Sequence, residues 1–192
     1  MITWGISANS HDASLAVFSK DGLEFASHSE RFSGLKNDAH LNTALIEYAK
    51  QWGEPDEIIW YERPFRKTLR QLRAGQGWNY RENNIKSYLN SYGINSPISY
   101  TSHHHSHAAA GYYTSPFRDA TIVCIDSIGE FETLTIWEGE DDLLKKTYSQ
   151  GYPHSIGLWY SAMTQRVGLK PNEDEYILMG MAAYGDPNRL FM

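Results

Sequence analysis

A strand–turn–strand pattern opens this chain and begins again near residue 120, and few soluble folds are built from such a repetition. Residues 2–7 and 13–19 read as short strands rich in β-formers, with Lys20-Asp21-Gly22 as a hairpin turn and residues 23–29 as the returning strand. Residues 120–126 (ATIVCID), 132–137 and 143–148 repeat that order. A shift of 119 residues sets Ile6 on Ile125, Ser7 on Asp126, Ser14 on Thr133, Leu15 on Leu134, Val17 on Ile136 and Phe18 on Trp137. At residue level the likeness is weak, and coincidence is one account of it. Taken as a duplication, it gives two strand–hairpin–helix units, each opening on a polar loop that faces a shared cleft.

Between the two strand sets, Leu41, Leu45, Ile46 and Ala49 fall at helical spacing before a stop near Gly53 and Pro55. Residues 57–61 (EIIWY) lack polar alternation, so a strand buried on both faces is expected there. Residues 64–93 read as helical with a glycine break at Gly75 and Gly77, residues 98–100 as a strand, and residues 103–113 as an Ala-rich helix. After the second strand set comes one helix, residues 155–169, and then a Gly/Ala-rich stretch, so the second copy is expected to be incomplete.

With 41% hydrophobic and 21% charged residues, the chain has the make-up of a soluble globular protein. No apolar run approaches the roughly 20 residues that span a bilayer, and the first residues lack the basic start and apolar stretch of a signal peptide. One cysteine, Cys124, forms no internal disulfide, which makes a reducing cytoplasm the default location. The net charge of −6 argues against nonspecific nucleic-acid binding. It is unevenly spread. Arg63, Arg66, Lys67, Arg70, Arg73, Arg81 and Lys86 share their stretch with a single acid, Glu82, so the segment carries +6 and the remainder −12. Such a run is either a solvated helical face or a basic rim facing a phosphorylated ligand.

The strongest chemical signal is Ser102-His103-His104-His105-Ser106-His107. His103 and His107, four apart on a helix, stack on one face, the arrangement by which two imidazoles share a metal. His104 and His105 point elsewhere, toward ligand or solvent. Asp126 ends a very apolar strand beside Gly129-Glu130, where α/β proteins place metal or phosphate contacts; the plainer reading is a turn aspartate capping backbone amides. Two imidazoles and one carboxylate suit a divalent ion with room left for substrate. His11-Asp12, between the first two strands, and Lys36, after Glu30-Arg31-Phe32, are either surface groups or cleft groups.

Several segments now add up in order: His11-Asp12-Ala13-Ser14, Glu30-Arg31-Phe32 with Lys36, Tyr61-Glu62-Arg63-Pro64-Phe65, His103-His104 with His107-Ala108-Ala109, and Ser115-Pro116-Phe117. Asp126 with Gly129-Glu130, Pro153-His154-Ser155 with Gly157, and Met179-Gly180 with Ala182-Ala183-Tyr184-Gly185 complete the series. In these the chain resembles the N-terminal domain of the O-carbamoyltransferases that tailor antibiotics and nodulation signals. That domain is related in turn to the universal tRNA threonylcarbamoyl-transferase subunit, which shares the paired His. The resemblance implies an α/β chain with a duplicated RNase-H-like fold of the actin/Hsp70 ATPase type. A first subdomain would cover residues 1–118 and a truncated second one residues 119–192. It further implies that carbamoyl phosphate and ATP give carbamoyl-adenylate in a separate C-terminal domain, and that the metal-binding N-terminal domain then passes the carbamoyl group to a hydroxyl-bearing small molecule. By position, His103, His107 and Asp126 would be metal ligands, to Fe(II), and His11 and Lys36 would lie against the carbamoyl-adenylate.

Two positions depart from the family pattern: Ser127 stands where glycine is usual after the aspartate, and Ile177 where lysine is common. A fourth metal ligand, the adenosine-binding segment and the adenylate-forming domain are expected beyond residue 192. The chain therefore reads as one piece of a carbamoyltransferase, completed by a C-terminal chain or assembled as a homo-oligomer. The competing readings are a metal- or nucleotide-binding docking module without catalysis, and, from the basic segment, a tRNA-modifying subunit.

Overall fold

Alternating burial in the first two strands sets the architecture of the computed structural model, which describes residues 1–186. Strand β1 (Thr3–Ser7) turns Trp4 and Ile6 into the core, and β2 (Ser14–Ser19) adds Leu15 and Val17, the period of two expected of a strand with one face packed. Strand β3 (Gly22–His28) returns antiparallel to β2. The chain passes through a short helix α1 (Glu30–Ser33) and α2 (Thr43–Ala49) into β4 (Glu57–Trp60), which pairs in parallel with β1. Helices α3 (Pro64–Arg73) and α4 (Ile85–Asn90) then lead to β5 (Ile98–Tyr100), parallel to β4, and helix α5 (His103–Tyr113) follows. The strand order β3-β2-β1-β4-β5 places β1 at the centre. An antiparallel hairpin extended by two parallel crossovers is the RNase-H-like arrangement.

The first compact unit, Met1–Thr114, holds this sheet. Leu45, Ile46 and Ala49 of α2 join Trp4, Ile6, Leu15, Val17, Ile58 and Trp60 in one core. Helix α2 starts where Asn42 accepts a hydrogen bond from Leu45 N (2.8 Å), the capping that leaves one fewer orphan amide. Strand β4 is buried on one face, not both. Ile58 and Trp60 are inside, but Ile59, pointing to the opposite face as alternate strand residues do, is 40% exposed. Residues 64–93 form two short helices, α3 and α4, separated by a non-helical stretch in which Gly75 and Gly77 take positive φ.

The second unit runs from Ser115 onward. It holds an antiparallel meander of β6 (Asp119–Gly129), β7 (Glu132–Glu140) and β8 (Leu143–Gly151), followed by α6 (Ile156–Arg166) and α7 (Glu175–Met181). Its pairing repeats the first unit. Thr3, Trp4, Gly5 and Ile6 face Phe18, Val17, Ala16 and Leu15; 119 residues later, Ile122, Val123, Cys124 and Ile125 face Trp137, Ile136, Thr135 and Leu134. The β-bulge recurs too, between Val17 and Phe18 in β2 and between Ile136 and Trp137 in β7. The duplication read from weak residue similarity is thus carried by ladder register, which a slip of one residue would have inverted. Unlike β1, β6 is an edge strand among the described residues.

Helix α6 packs on the end of β6 so closely that only glycine fits at its second residue. A Cβ on Gly157 would lie 2.6 Å from Ser127 N and 2.7 Å from Ser127 Cα. Ser155 secures the approach, its hydroxyl donating to the carbonyls of Asp126 (3.1 Å) and Ser127 (2.7 Å) and accepting from Leu158 N (3.0 Å). Gly157→Ala should therefore lower stability by about 1–3 kcal/mol through overpacking. Gly111→Ala, where a Cβ meets open space inside α5, should raise it by about 0.5–1 kcal/mol. Urea unfolding of the two variants checks both signs.

Candidate metal centre

Helix α5 begins three residues after β5 ends, so the strand delivers its first turn to the end of the sheet. Thr101 N donates to Trp60 O (3.1 Å), and Ser106 Oγ donates to Tyr61 O (3.2 Å) and His103 O (2.7 Å), tying that turn to the end of β4. The helical spacing brings His103 and His107 together as expected: their Nε2 atoms are 3.0 Å apart, with ring centroids separated by 4.8 Å. Two nitrogens bonded at about 2.1 Å to one ion at a right angle would stand about 3.0 Å apart. The pair fits adjacent ligand positions.

Behind His103 lies a buried ion pair that sequence reasoning passed over. Glu62, just past β4, is 5% exposed, and Lys67, in the second turn of α3, is 7% exposed. Lys67 Nζ donates to Glu62 Oε1 (2.7 Å) and to the carbonyl of Asn9 (3.2 Å). The other carboxylate oxygen, Oε2, stands 3.9 Å from His103 Nδ1, longer than a hydrogen bond. Burial alone would push the Glu62 carboxyl up. The His103 imidazole and the Lys67 ammonium outweigh it and hold the group below the usual range for a glutamate. The Tyr61 ring stands edge-on to His103, with centroids 5.5 Å apart. The signals that could have pointed to the pair were present in the chain: an acid closing an apolar strand, and a lysine five residues on, after the helix-starting Pro64.

The remaining histidines part company. His104 is fully buried and so not solvated, and His105 Nδ1 meets Thr101 Oγ1 at 2.8 Å. In the loop between β1 and β2, Asn9 and Asp12 adopt positive φ (64° and 49°), and backbone bonds tie Asn9 to Ala39 and Ala13 to Asp38. His11 stands exposed on this loop with Nδ1 2.8 Å from Asp12 Oδ2. Lys36 is exposed on the segment leading into residues 38–39. The basic run is mixed. Arg66, Arg73, Arg81 and Lys86 are exposed, Lys67 is buried, and Arg63 lines a cavity of about 400 Å³ with Phe65, Tyr80 and Tyr100.

Asp126 belongs to the second unit. It sits where β6 leaves the regular ladder, between Ile125 and Gly129, so the repeated register breaks at the candidate ligand itself. Its Oδ1 accepts from Ser127 N at 2.7 Å, as the plainer reading anticipated. Ser127 does not have positive φ; the left-handed residue is Glu130, in the turn to β7. Serine after the aspartate therefore costs no strain. Burial pushes the Cys124 thiol above its usual range, which disfavours the thiolate form.

A family described as carbamoyltransferase N-terminus matches residues 62–192, more than half of the sequence. The chain belongs to that family. Its relatives include an uncharacterized protein of Synechocystis sp., 36% identical over 95% of this chain and 34% of the relative. Another, from Methanocaldococcus jannaschii, is 27% identical over 91% of this chain and 32% of the relative. The nodulation protein NolNO of Sinorhizobium fredii is 29% identical over 92% of this chain and 28% of its own length. The chain thus spans about a third of the length of these relatives. Glu62, His103, His107 and Asp126 all fall within the matched residues, and no helix among the described residues is long and apolar enough to cross a membrane.

Removing one partner of a buried pair leaves an uncompensated charge. Lys67→Met in this carbamoyltransferase domain should lower the unfolding free energy by about 3–5 kcal/mol. Arg73→Ala, on the exposed end of the same helix, should change it by less than about 0.5 kcal/mol. Urea unfolding followed by tryptophan fluorescence compares the two.

Proposed function

We propose that this chain is the metal-binding N-terminal part of an O-carbamoyltransferase. The enzyme would move a carbamoyl group from carbamoyl-adenylate, made from carbamoyl phosphate and ATP, to an alcohol. The observation that carries the reading is the 3.0 Å approach of the His103 and His107 Nε2 atoms within a chain of this family. His103, His107 and Asp126 are assigned as ligands of one divalent ion, Fe(II). When bound, such an ion supplies Lewis-acid polarisation of a phosphate or acyl oxygen.

The chain's own residues supply the rest. Asp12 holds the proton on His11 Nδ1 and orients the ring, so Nε2 is the edge offered to a ligand. The Lys36 ammonium, on its exposed segment, is assigned to charge developing on the carbamoyl and phosphate oxygens. A complementing C-terminal chain would bring the adenylate-forming activity and the remaining ligand; a second copy could cover apolar surface but would not supply either. The apolar surface for such an association is present in the second unit, where Val123 is 54% and Ile125 56% exposed.

Two measurements test this. Elemental analysis after anaerobic loading should find about one metal per chain, lost in His107→Ala. Assayed with ATP, carbamoyl phosphate and a panel of alcohols, the 192-residue chain should be inactive alone. It should gain carbamoyl transfer when the C-terminal two-thirds of a longer relative is added. Metal content unchanged in His107→Ala, or transfer by the isolated chain as a monomer, would overturn the reading.

A further inference from the structure

The cavity of about 400 Å³ in the first unit falls in the size range of small-molecule sites, and none of the candidate metal ligands lines it. It opens between the end of β5, the first turn of α3 and the turn that leads into α4. Three exposed rings border it, those of Phe65, Tyr80 and Tyr100. Two of them are held in place: Tyr100 closes β5 in register with Trp60, and Trp78 stacks on Tyr80 with centroids 6.2 Å apart and planes at 15°. The polar group that matters is Asn83, 8% exposed. Thr68 Oγ1 spends its one proton on the Pro64 carbonyl (3.0 Å), so toward Asn83 it can only accept. That fixes the amide. Its Nδ2 donates to Thr68 Oγ1 (2.8 Å) and to Gln71 Oε1 (2.8 Å), which uses both protons. Oδ1 is left without a hydrogen bond among the described residues, on a side chain that lines the cavity. A nearly buried acceptor without a donor costs free energy that an O–H or N–H of a ligand recovers.

We infer that this cavity binds a small neutral aromatic molecule whose ring carries a hydroxyl or N–H donor, with Asn83 Oδ1 accepting that proton. The balance of groups decides the class. Three rings, with Pro64 and Ile85, offer apolar surface, which a flat aromatic ligand meets by offset or edge-on contact. The fixed amide asks for one donor. A sugar would bring hydroxyls around its whole rim, most of them against ring carbon. An anion would meet Arg63 but would bring lone pairs, not a proton, to the Asn83 oxygen. The place in the fold suits a ligand as well. Tyr100 ends β5 and Arg63 follows β4, so the cavity lies at the carboxyl ends of two parallel strands, where open α/β sheets bind their ligands.

The full chain, labelled with 15N, is titrated with phenol while the side-chain amide of Asn83 and the backbone amides of Tyr80 and Tyr100 are followed by NMR. Phenol should move these signals to saturation, the Asn83 amide protons included, because the amide polarises when its oxygen accepts. Anisole, the same ring with its donor methylated, should bind about tenfold more weakly. Tyr80→Ala should weaken phenol binding about 3–10-fold through lost ring contact, whereas Arg73→Ala, outside the cavity, should leave it unchanged. Methyl β-glucoside and adenosine monophosphate at the same concentrations should leave the three signals where they are. Anisole binding as tightly as phenol overturns the role of Asn83, and the comparison needs no variant to fold. Glucoside or adenosine monophosphate binding more tightly than phenol overturns the ligand class. Phenol shifts that miss these residues, or that survive Tyr80→Ala undiminished, overturn the site itself.

Discussion

The first unit is organised around one buried ion pair. Glu62 and Lys67 lie at the junction of β4 and α3, and their polar atoms reach the β1–β2 loop through Asn9 and helix α5 through His103. Taking two charges out of water costs several kcal/mol per ion, and mutual attraction offsets this only when geometry is good and further polar partners are present. Both conditions hold here: the pair closes to 2.7 Å and the ammonium has a second acceptor. An apolar pair of similar size would serve stability as well. What it could not do is hold three separate chain segments at fixed polar atoms, and two of those segments carry the candidate site.

The duplication shows how far register and burial are separate properties. Both units share four ladder pairs and the position of a bulge. Trp4 and Ile6 are almost fully buried, yet Val123 and Ile125 at the same ladder positions are more than half exposed. Helix α2 supplies the first unit with Leu45, Ile46 and Ala49; in the second, α6 packs where Gly157 meets the end of β6. The register was legible because alternation of side chains constrains strand pairing locally. The exposure was not, since it depends on which element arrives over each face.

The same distinction runs through the site. The His103–His107 approach was readable, because four residues on a helix are neighbours whatever surrounds them. Lys67 was hidden among basic residues that reach solvent, and α3 reverses the usual logic of an amphipathic helix. It buries Lys67 and Thr68 while leaving Phe65, Leu69 and Leu72 exposed. Thr68 is satisfied inside by Asn83 Nδ2, which donates to its hydroxyl (2.8 Å). A hydrophobicity pattern assigns the apolar stripe of such a helix to the core, and here the polar stripe is the one that packs. Glu62 stood in plain view in the Tyr61–Phe65 motif, but its burial and its partner are tertiary facts.

The electrostatics of α5 bear on what its first turn could bind. His103 is the first residue of the helix, where the macrodipole places roughly half a positive charge. A divalent cation beside it is opposed, not helped, by the backbone. Neutral imidazoles contribute no charge, and the carboxylate behind His103 is already matched by Lys67, so the first unit offers the ion two lone pairs and no net negative charge. Such a site needs an anionic ligand from elsewhere to favour a dication over water. In the second unit, Asp126 is a carboxylate where β6 departs from the duplicated ladder, and its Oδ1 accepts from Ser127 N.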